Sequence, residues 1–176
     1  MHPIRRRVVL TGAPGAGKST LLEAAAKEGM ATSPEVARKL LKAPGGMELR
    51  ANDPLGFAEA MLEAHYREFE QYQDYDGPVI FDRGFPDVAA FYELTGRSVP
   101  AAVDKACRSW RYAGPILRAP AWREIYHQDA ERIQTWEEAV ASDEAVTAAW
   151  RRYGYEPIEL PLTTVKDRLR FLRGLI

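Results

Sequence analysis

The stretch VVLTGAPGAGKSTLL, Val8 to Leu22, decides the fold. A short apolar run leads into a glycine-rich loop, and at Lys18-Ser19 the loop gives way to residues that favour a helix. Gly12-Ala13-Pro14-Gly15-Ala16-Gly17-Lys18-Ser19 matches the pattern G-x-x-x-x-G-K-[ST], and its setting between strand and helix is the one its chemistry requires. Glycines let backbone N–H groups turn inward around a β-phosphate, and the following helix adds the positive end of its dipole. Gly12 to Thr20 is therefore read as a triphosphate cradle. Lys18 bridges the β- and γ-phosphates in this reading, and Ser19 offers its hydroxyl to Mg²⁺, a cation that takes few protein ligands.

Outward from this loop, short apolar runs alternate with longer helical segments, the pattern of βα units around a parallel sheet. Strands are expected at Arg7 to Thr11, Met30 to Thr32, Pro78 to Asp82, Tyr112 to Leu117 and Tyr155 to Leu160. The first helix is expected from Lys18 to Gly29, and a second is expected to start at the capping pair Ser33-Pro34 and end before Ala43. Asp53-Pro54 repeats that start signal, with Phe57, Met61, His65, Phe69 and Tyr72 following at helical spacing. His65 reads as a packed member of that face rather than a ligand. Residues 121–153 read as a largely helical insertion carrying Trp122, Trp136 and Trp150, and a final helix starts near Thr164.

The 176 residues fit one domain spanning 1–176, with 46% apolar and 28% charged residues, the balance of an ordinary globular protein. A formal charge of -1 gives no global attraction to nucleic acid or to an acidic membrane, so any anion site must be local. The single cysteine, Cys107, excludes an intrachain disulfide and fits a reducing cytoplasm. No apolar run approaches the roughly 20 residues of a membrane helix. Arg5 to Arg7 reads as a solvated approach to the first strand, or else as a small interaction patch. No sequence feature sets the oligomeric state.

Three further groups converge on the carboxyl edge of the sheet, where ligands bind in such folds. Asp82 ends the strand Val79 to Phe81 and could hold Mg²⁺ through water; Arg83, next to it, could clamp a phosphoryl group. The alternative is a plain Asp-Arg ion pair. Asp87 either contacts substrate or caps the next helix. In TSPEVARKL, Glu35 is placed like a base toward an acceptor hydroxyl, with Arg38 one turn away to hold it or to bind substrate. Otherwise Glu35 merely favours a helix N-terminus.

TGAPGAGKSTLL, SPEVAR, IFDRGFPD and PAWREIYHQDAERIQTWEEA, in this order and spacing, resemble the AAA-type P-loop ATPase/kinase family, related to the ribosylnicotinamide kinase portion of NAD-biosynthesis regulators. The resemblance implies an α/β, three-layer P-loop fold of nucleoside/nucleotide kinase type, with a five-stranded parallel sheet, a helical lid at about 118–141, and ATP or another nucleoside triphosphate with Mg²⁺. Glu35 matches the base of similar deoxynucleoside kinases, and Asp82-Arg83 their acid-arginine pair. The lid of this class brings arginines to the transferring group, which here implies Arg123 and Arg132, with Arg118 as a nucleotide-base or phosphate contact. The loop from Pro161 to Val165 is where this fold receives a purine. The lid aromatics read as packing rather than a base-stacking platform.

The leading reading is an ATP- and Mg²⁺-dependent phosphotransferase acting on a small nucleoside-like or other metabolite acceptor. A nucleotide-binding ATPase or regulatory switch without an acceptor is the alternative. A polynucleotide 5′-kinase is disfavoured by the lack of a basic stripe.

Overall fold

A computed structural model describes residues 6–128 and 133–176. Five strands form one sheet: β1 (Arg7–Gly12), β2 (Ala31–Ser33), β3 (Val79–Asp82), β4 (Ile116–Ala119) and β5 (Ile158–Glu159). Their order across the sheet is β2-β3-β1-β4-β5, and every pairing is parallel. Because side chains alternate across a strand, neighbours on β1 serve different cores. Val9 packs with Val79, Phe81, Phe57, Phe85 and Trp150 on one face, while Val8 and Leu10 pack with Leu21, Ile80, Leu117 and Leu172 on the other. Each such fully buried side chain contributes about 1.5–3 kcal/mol.

The second face is covered by α1 (Lys18–Lys27) and α8 (Val165–Arg173), whose buried Leu21, Leu22, Leu169 and Leu172 meet there. The first is covered by α2 (Val36–Lys42), α3 (Gly46–Asn52), α4 (Pro54–Gln71), α5 (Phe85–Leu94), α6 (Ala101–Ser109) and α7 (Trp136–Arg152). Asp53 caps α4 by accepting from the Gly56 N–H at 3.0 Å. No helix among the described residues is long and apolar enough to cross a membrane.

Several boundaries differ from expectation for local reasons. Ser33 is not a helix cap: it ends β2, its hydroxyl donates to Glu68 at 2.6 Å, and Glu35 takes the N-cap position of α2. β4 begins later than expected because Pro115 has no N–H to donate; only its carbonyl joins the ladder, accepting from Val9 N at 3.1 Å. Among the described residues of 120–135 there is no helix, so the expected helical lid and the insertion's helical content are confined to α7. Arg7 is not solvated. It is buried, and its guanidinium donates to the carbonyls of Tyr72, Tyr75 and Gly77, anchoring the end of α4 to β1. Arg6 donates to Leu175 O at 3.0 Å, while Arg5 lies outside the described residues.

Candidate active site

The phosphate loop is shaped by close approach. A Cβ on Gly12, where φ is +115°, would lie 2.1 Å from the Ala119 carbonyl oxygen, so no side chain fits between β1 and β4 at this point. That same carbonyl accepts from Ala13 N at 2.9 Å. Gly15 and Gly17 also take positive φ, 70° and 86°, the left-handed region open to glycine, and Gly17 directly precedes α1. Pro14, Gly15, Gly17, Lys18, Ser19 and Thr20 line a cavity of about 540 Å³, while Ala13 and Ala16 are packed behind them. Lys18 is buried and its ammonium donates to the Ala13 carbonyl across the loop. Burial, and then the charge of Arg83, lower its pKa to about 8, although Asp82, Glu35 and Asp87 pull upward.

Beside the loop sits a cluster of charges contributed by three elements. Arg83 follows β3 with φ 71°, an uncommon conformation for a residue with a side chain. Its backbone N–H is held by Leu10 O at 2.8 Å. Its guanidinium donates to Gly12 O at 3.2 Å, Asp87 Oδ1 at 3.2 Å and Glu35 Oε1 at 3.4 Å. Asp87 accepts four times in all: from Arg83, from the Thr11 hydroxyl at 2.5 Å, from Gly84 N at 2.9 Å and from Trp150 Nε1 at 3.1 Å. It therefore caps α5, one of the two alternatives read for it in the sequence, and orients Arg83 as well. Burial alone would raise the Glu35 pKa, but Arg83, Lys18 and Arg38 hold its carboxyl below the usual range.

Asp82 is the contrast. It is 2% exposed, and among the described residues neither carboxyl oxygen has a hydrogen-bond partner. Burial, followed by the nearby Glu35 carboxylate, pushes its pKa up to about 7 against the pull of Lys18 and Arg83. A buried carboxyl without donors is costly unless something positive completes it. Asp82 and Ser19 line one smaller cavity together with Glu35, so these residues fit a hydrated Mg²⁺, for which Ser19 and Asp82 supply the oxygens.

The main cavity extends from the phosphate loop past Glu35, Arg38, Arg83 and Asp87 to an apolar wall of Phe57, Met61, Val88, Phe91 and Val146. Its size lies within the range of small-molecule sites. His65 is buried in this wall, as expected for a packed face, and burial lowers its pKa to about 4, so the imidazole is neutral.

The sequence model of the AAA domain family matches residues 7–168. The chain belongs to the AAA domain family. No curated protein sequence matches it. A deoxyadenosine kinase from M. mycoides, solved with products dCMP and a flexible dCDP bound, is similar with a TM-score of 0.71 and 14% identity, covering 96% of this chain and 97% of that one. Thymidylate kinase from Candida albicans gives 0.65 and 12%, covering 98% and 91%. NadR protein in complex with NR gives 0.64 and 18%, covering 98% of this chain and 50% of NadR. At these identities the shared property is the fold, a P-loop α/β sheet of nucleoside and nucleotide kinase type.

In this AAA domain protein two of the arginines expected at the lid, Arg118 and Arg123, do not line the cavity. Arg118 does not line the cavity: it makes two 2.8 Å hydrogen bonds to Asp143 on α7 and one of 3.0 Å to Glu159. Its place in β4 directs it to those carboxylates, and Asp143 also accepts from Ala121 N at 3.1 Å, fixing where the chain leaves the strand. Arg123 is exposed, with its guanidinium 5.3 Å from the Trp136 ring centroid. Arg132 lies outside the described residues. The packing expected of the aromatics holds for Tyr126 and Trp136, which meet edge to face at 5.6 Å, but Trp122 instead lines the cavity. Thr163, Thr164 and Val165 line it too, from the loop after β5. The sequence reading missed Arg168. Its signal was a basic residue one turn into the helix after that loop, a pattern shared by many solvated arginines.

Proposed function

We propose that this protein is an ATP- and Mg²⁺-dependent phosphotransferase that moves the γ-phosphoryl group to a hydroxyl of a small, nucleoside-like acceptor. The carrying observation is the Glu35 carboxylate, held by Arg83 where the phosphate loop opens into the apolar half of the cavity. Bare hydrolysis needs no such second compartment. Phe57, Met61 and Phe91 suit a flat, weakly polar ring, and the solved structures it resembles include a deoxyadenosine kinase with a nucleotide product and the NadR protein with NR.

In the proposed reaction a bond forms between acceptor oxygen and Pγ while the bond from Pγ to the bridging oxygen of ADP breaks. The acceptor proton passes to Glu35. Arg83, Lys18 and Arg38 keep Glu35 ionised and therefore able to accept a hydrogen bond, though they make it a weak base. Weakness is tolerable, because phosphoryl transfer runs through a loose transition state in which orienting the nucleophile matters more than base strength. Lys18 and Arg83 face the charge that develops on the transferring group, and the phosphate-loop N–H groups of Gly15 to Thr20 hold the donor. Mg²⁺, when held by Ser19 and Asp82, supplies positive charge to the β- and γ-phosphates. The lid of this reading is the stretch at about 118–141, of which Trp122, Ile125, His127 and Gln134 line the cavity, within a single kinase-like unit.

Acceptor-dependent ADP formation from Mg-ATP tests the reading, using nucleosides, ribosylnicotinamide, nucleoside monophosphates and short oligonucleotides. At least one nucleoside-like acceptor raises ADP formation above intrinsic hydrolysis, and Glu35→Gln removes that increment while leaving hydrolysis in place. A full panel with no stimulation sinks the kinase assignment in favour of a hydrolytic switch.

A further inference from the structure

Arg168, on α8, carries a charge that the proposed phosphotransfer does not use. It is 2% exposed, and among the described residues it has no carboxylate partner. Burial lowers its pKa and no neighbouring acid offsets that shift. Instead it donates from Nε to Pro161 O at 2.8 Å and from one terminal nitrogen to Ala16 O at 2.7 Å, while the other terminal nitrogen is buried without a partner among the described residues. Its guanidinium carbon lies 4.9 Å from the ring centroid of Trp122. A buried guanidinium satisfied only by carbonyls, with one nitrogen unbonded, is costly and calls for an explanation.

The explanation lies in what its neighbours are. Ala16 belongs to the phosphate loop, Pro161 to the loop after β5, and Trp122 to the segment after β4. Gly17, Trp122, Thr163, Thr164 and Val165 all line the main cavity. These three pieces are far apart in sequence, and no backbone hydrogen bond joins the phosphate loop to either of the other two among the described residues. A planar guanidinium can bond two carbonyls and lie against an aromatic face at the same time, which an ammonium cannot. Gly17 reflects the tightness of this arrangement: a Cβ there would come within 3.0 Å of the Arg168 terminal nitrogen.

We propose that Arg168 is a positioning residue of the donor-nucleotide site, joining the phosphate loop, the loop after β5 and Trp122 into one unit that binds the base and the triphosphate of a nucleoside triphosphate together. This rests on the reading of the phosphate loop as a nucleotide site. Loops already held in register need not be ordered when a ligand bridges them, so the second half of the nucleotide binds at little further entropic cost. Without the clamp, the triphosphate still finds the loop N–H groups and Lys18, but the base contributes little.

The test is calorimetric titration of the full chain, without acceptor, using Mg-ATP and Mg-tripolyphosphate as separate probes. In Arg168→Met, affinity for ATP falls at least about tenfold while affinity for tripolyphosphate falls less than about threefold, so the advantage of ATP shrinks. Arg168→Lys shifts in the same direction, because one ammonium cannot span both carbonyls and lie on the ring. An unchanged ratio of the two affinities, whether both fall equally or neither falls, overturns the proposal and leaves Arg168 as a fold or bulk-charge residue. Should Arg168→Met not fold, Arg168→Lys and Trp122→Ala are judged by that same ratio. A wild-type protein that binds neither probe would remove the nucleotide site itself, an outcome distinct from a wild type that binds both and a variant that keeps the ratio.

Discussion

Arg83 after β3 lines the main cavity while Arg118 and Arg123, in and just after β4, do not, and the molecule treats the two sides in opposite ways. Arg83 is locked from three sides by Gly12 O, Asp87 and Glu35, on a backbone bent into the left-handed region. Its position is set before any ligand arrives, which is what makes a charge effective against a developing transition state. Arg118 is held just as firmly, but by Asp143 and Glu159, away from the cavity. Arg123 is exposed on the face of Trp136. In the proposed reaction, the charge on the β3 side is preorganised. On the β4 side it secures packing, and any catalytic use of Arg123 requires the segment to move, as closing segments do.

That contrast can be broken experimentally, beginning where the effect is largest. Arg83→Lys keeps the charge but loses the fork that spans Gly12 O, Asp87 and Glu35. Acceptor-dependent turnover should drop about 10²- to 10³-fold with little change in the unfolding midpoint. Turnover within a factor of about three of wild type would mean the preorganised side is only structural.

Arg118→Ala should do the reverse. It strands Asp143, whose side chain is largely buried, and should cost roughly 2–3 kcal/mol of stability in urea unfolding, below the full penalty for a broken buried pair because Arg118 is partly exposed. Nucleotide affinity of the folded variant should stay the same; a selective loss of ATP binding would return Arg118 to the site.

Asp82 sharpens the comparison through pH. Its carboxyl ordinarily titrates at 3.8 and is raised to about 7 in the folded protein. The native state therefore keeps a proton that the unfolded chain releases, and the stability this contributes is fully present below 3.8 and lost as pH rises through about 7. Asp82→Asn should accordingly stabilise the nucleotide-free protein at pH 8 by about 1–2 kcal/mol, or roughly 2–8 °C, and give no gain at pH 3.5. Mg²⁺ should raise the melting temperature of wild type but not of the variant. A pH-independent difference between the two would contradict the raised carboxyl.

The smallest effect belongs to Arg123→Ala, which should change stability by no more than about 0.5 kcal/mol, as at other exposed positions. A turnover loss approaching that of Arg83→Lys would show that the closing segment carries an arginine to the phosphates during the reaction.

Some of this was readable from the sequence and some was not. The phosphate loop was legible because its signals are local: Gly12, Gly15 and Gly17 stand where the backbone needs positive φ, between an apolar run and a helix. Asp82 was legible as the residue that ends a buried strand at the sheet edge. The start of α2 was misread, because Ser33-Pro34 carries a capping signature but Ser33 is drawn into β2 by its pairing with Phe81 and its bond to Glu68. The partners of Arg118 were hidden for a related reason: nothing in PILRAPAW reveals that Asp143 on α7 and Glu159 on β5 hold it.

By itself the sequence determined the order of strand, glycine loop and helix, the parallel sheet that follows from βα repetition, and the carboxyl edge as the place where Lys18, Glu35 and Asp82 meet. Each of these depends on backbone propensity and on short-range periodicity. Tertiary structure alone decided which charges are bonded to which: Arg83 to Glu35 and Asp87, Arg118 to Asp143, Arg168 to two carbonyls and an aromatic face, and Asp82 to no hydrogen-bond donor among the described residues. Those pairings join residues as many as 152 positions apart. Side-chain partners at that separation are set by how the layers pack, a property that no local stretch of the chain contains.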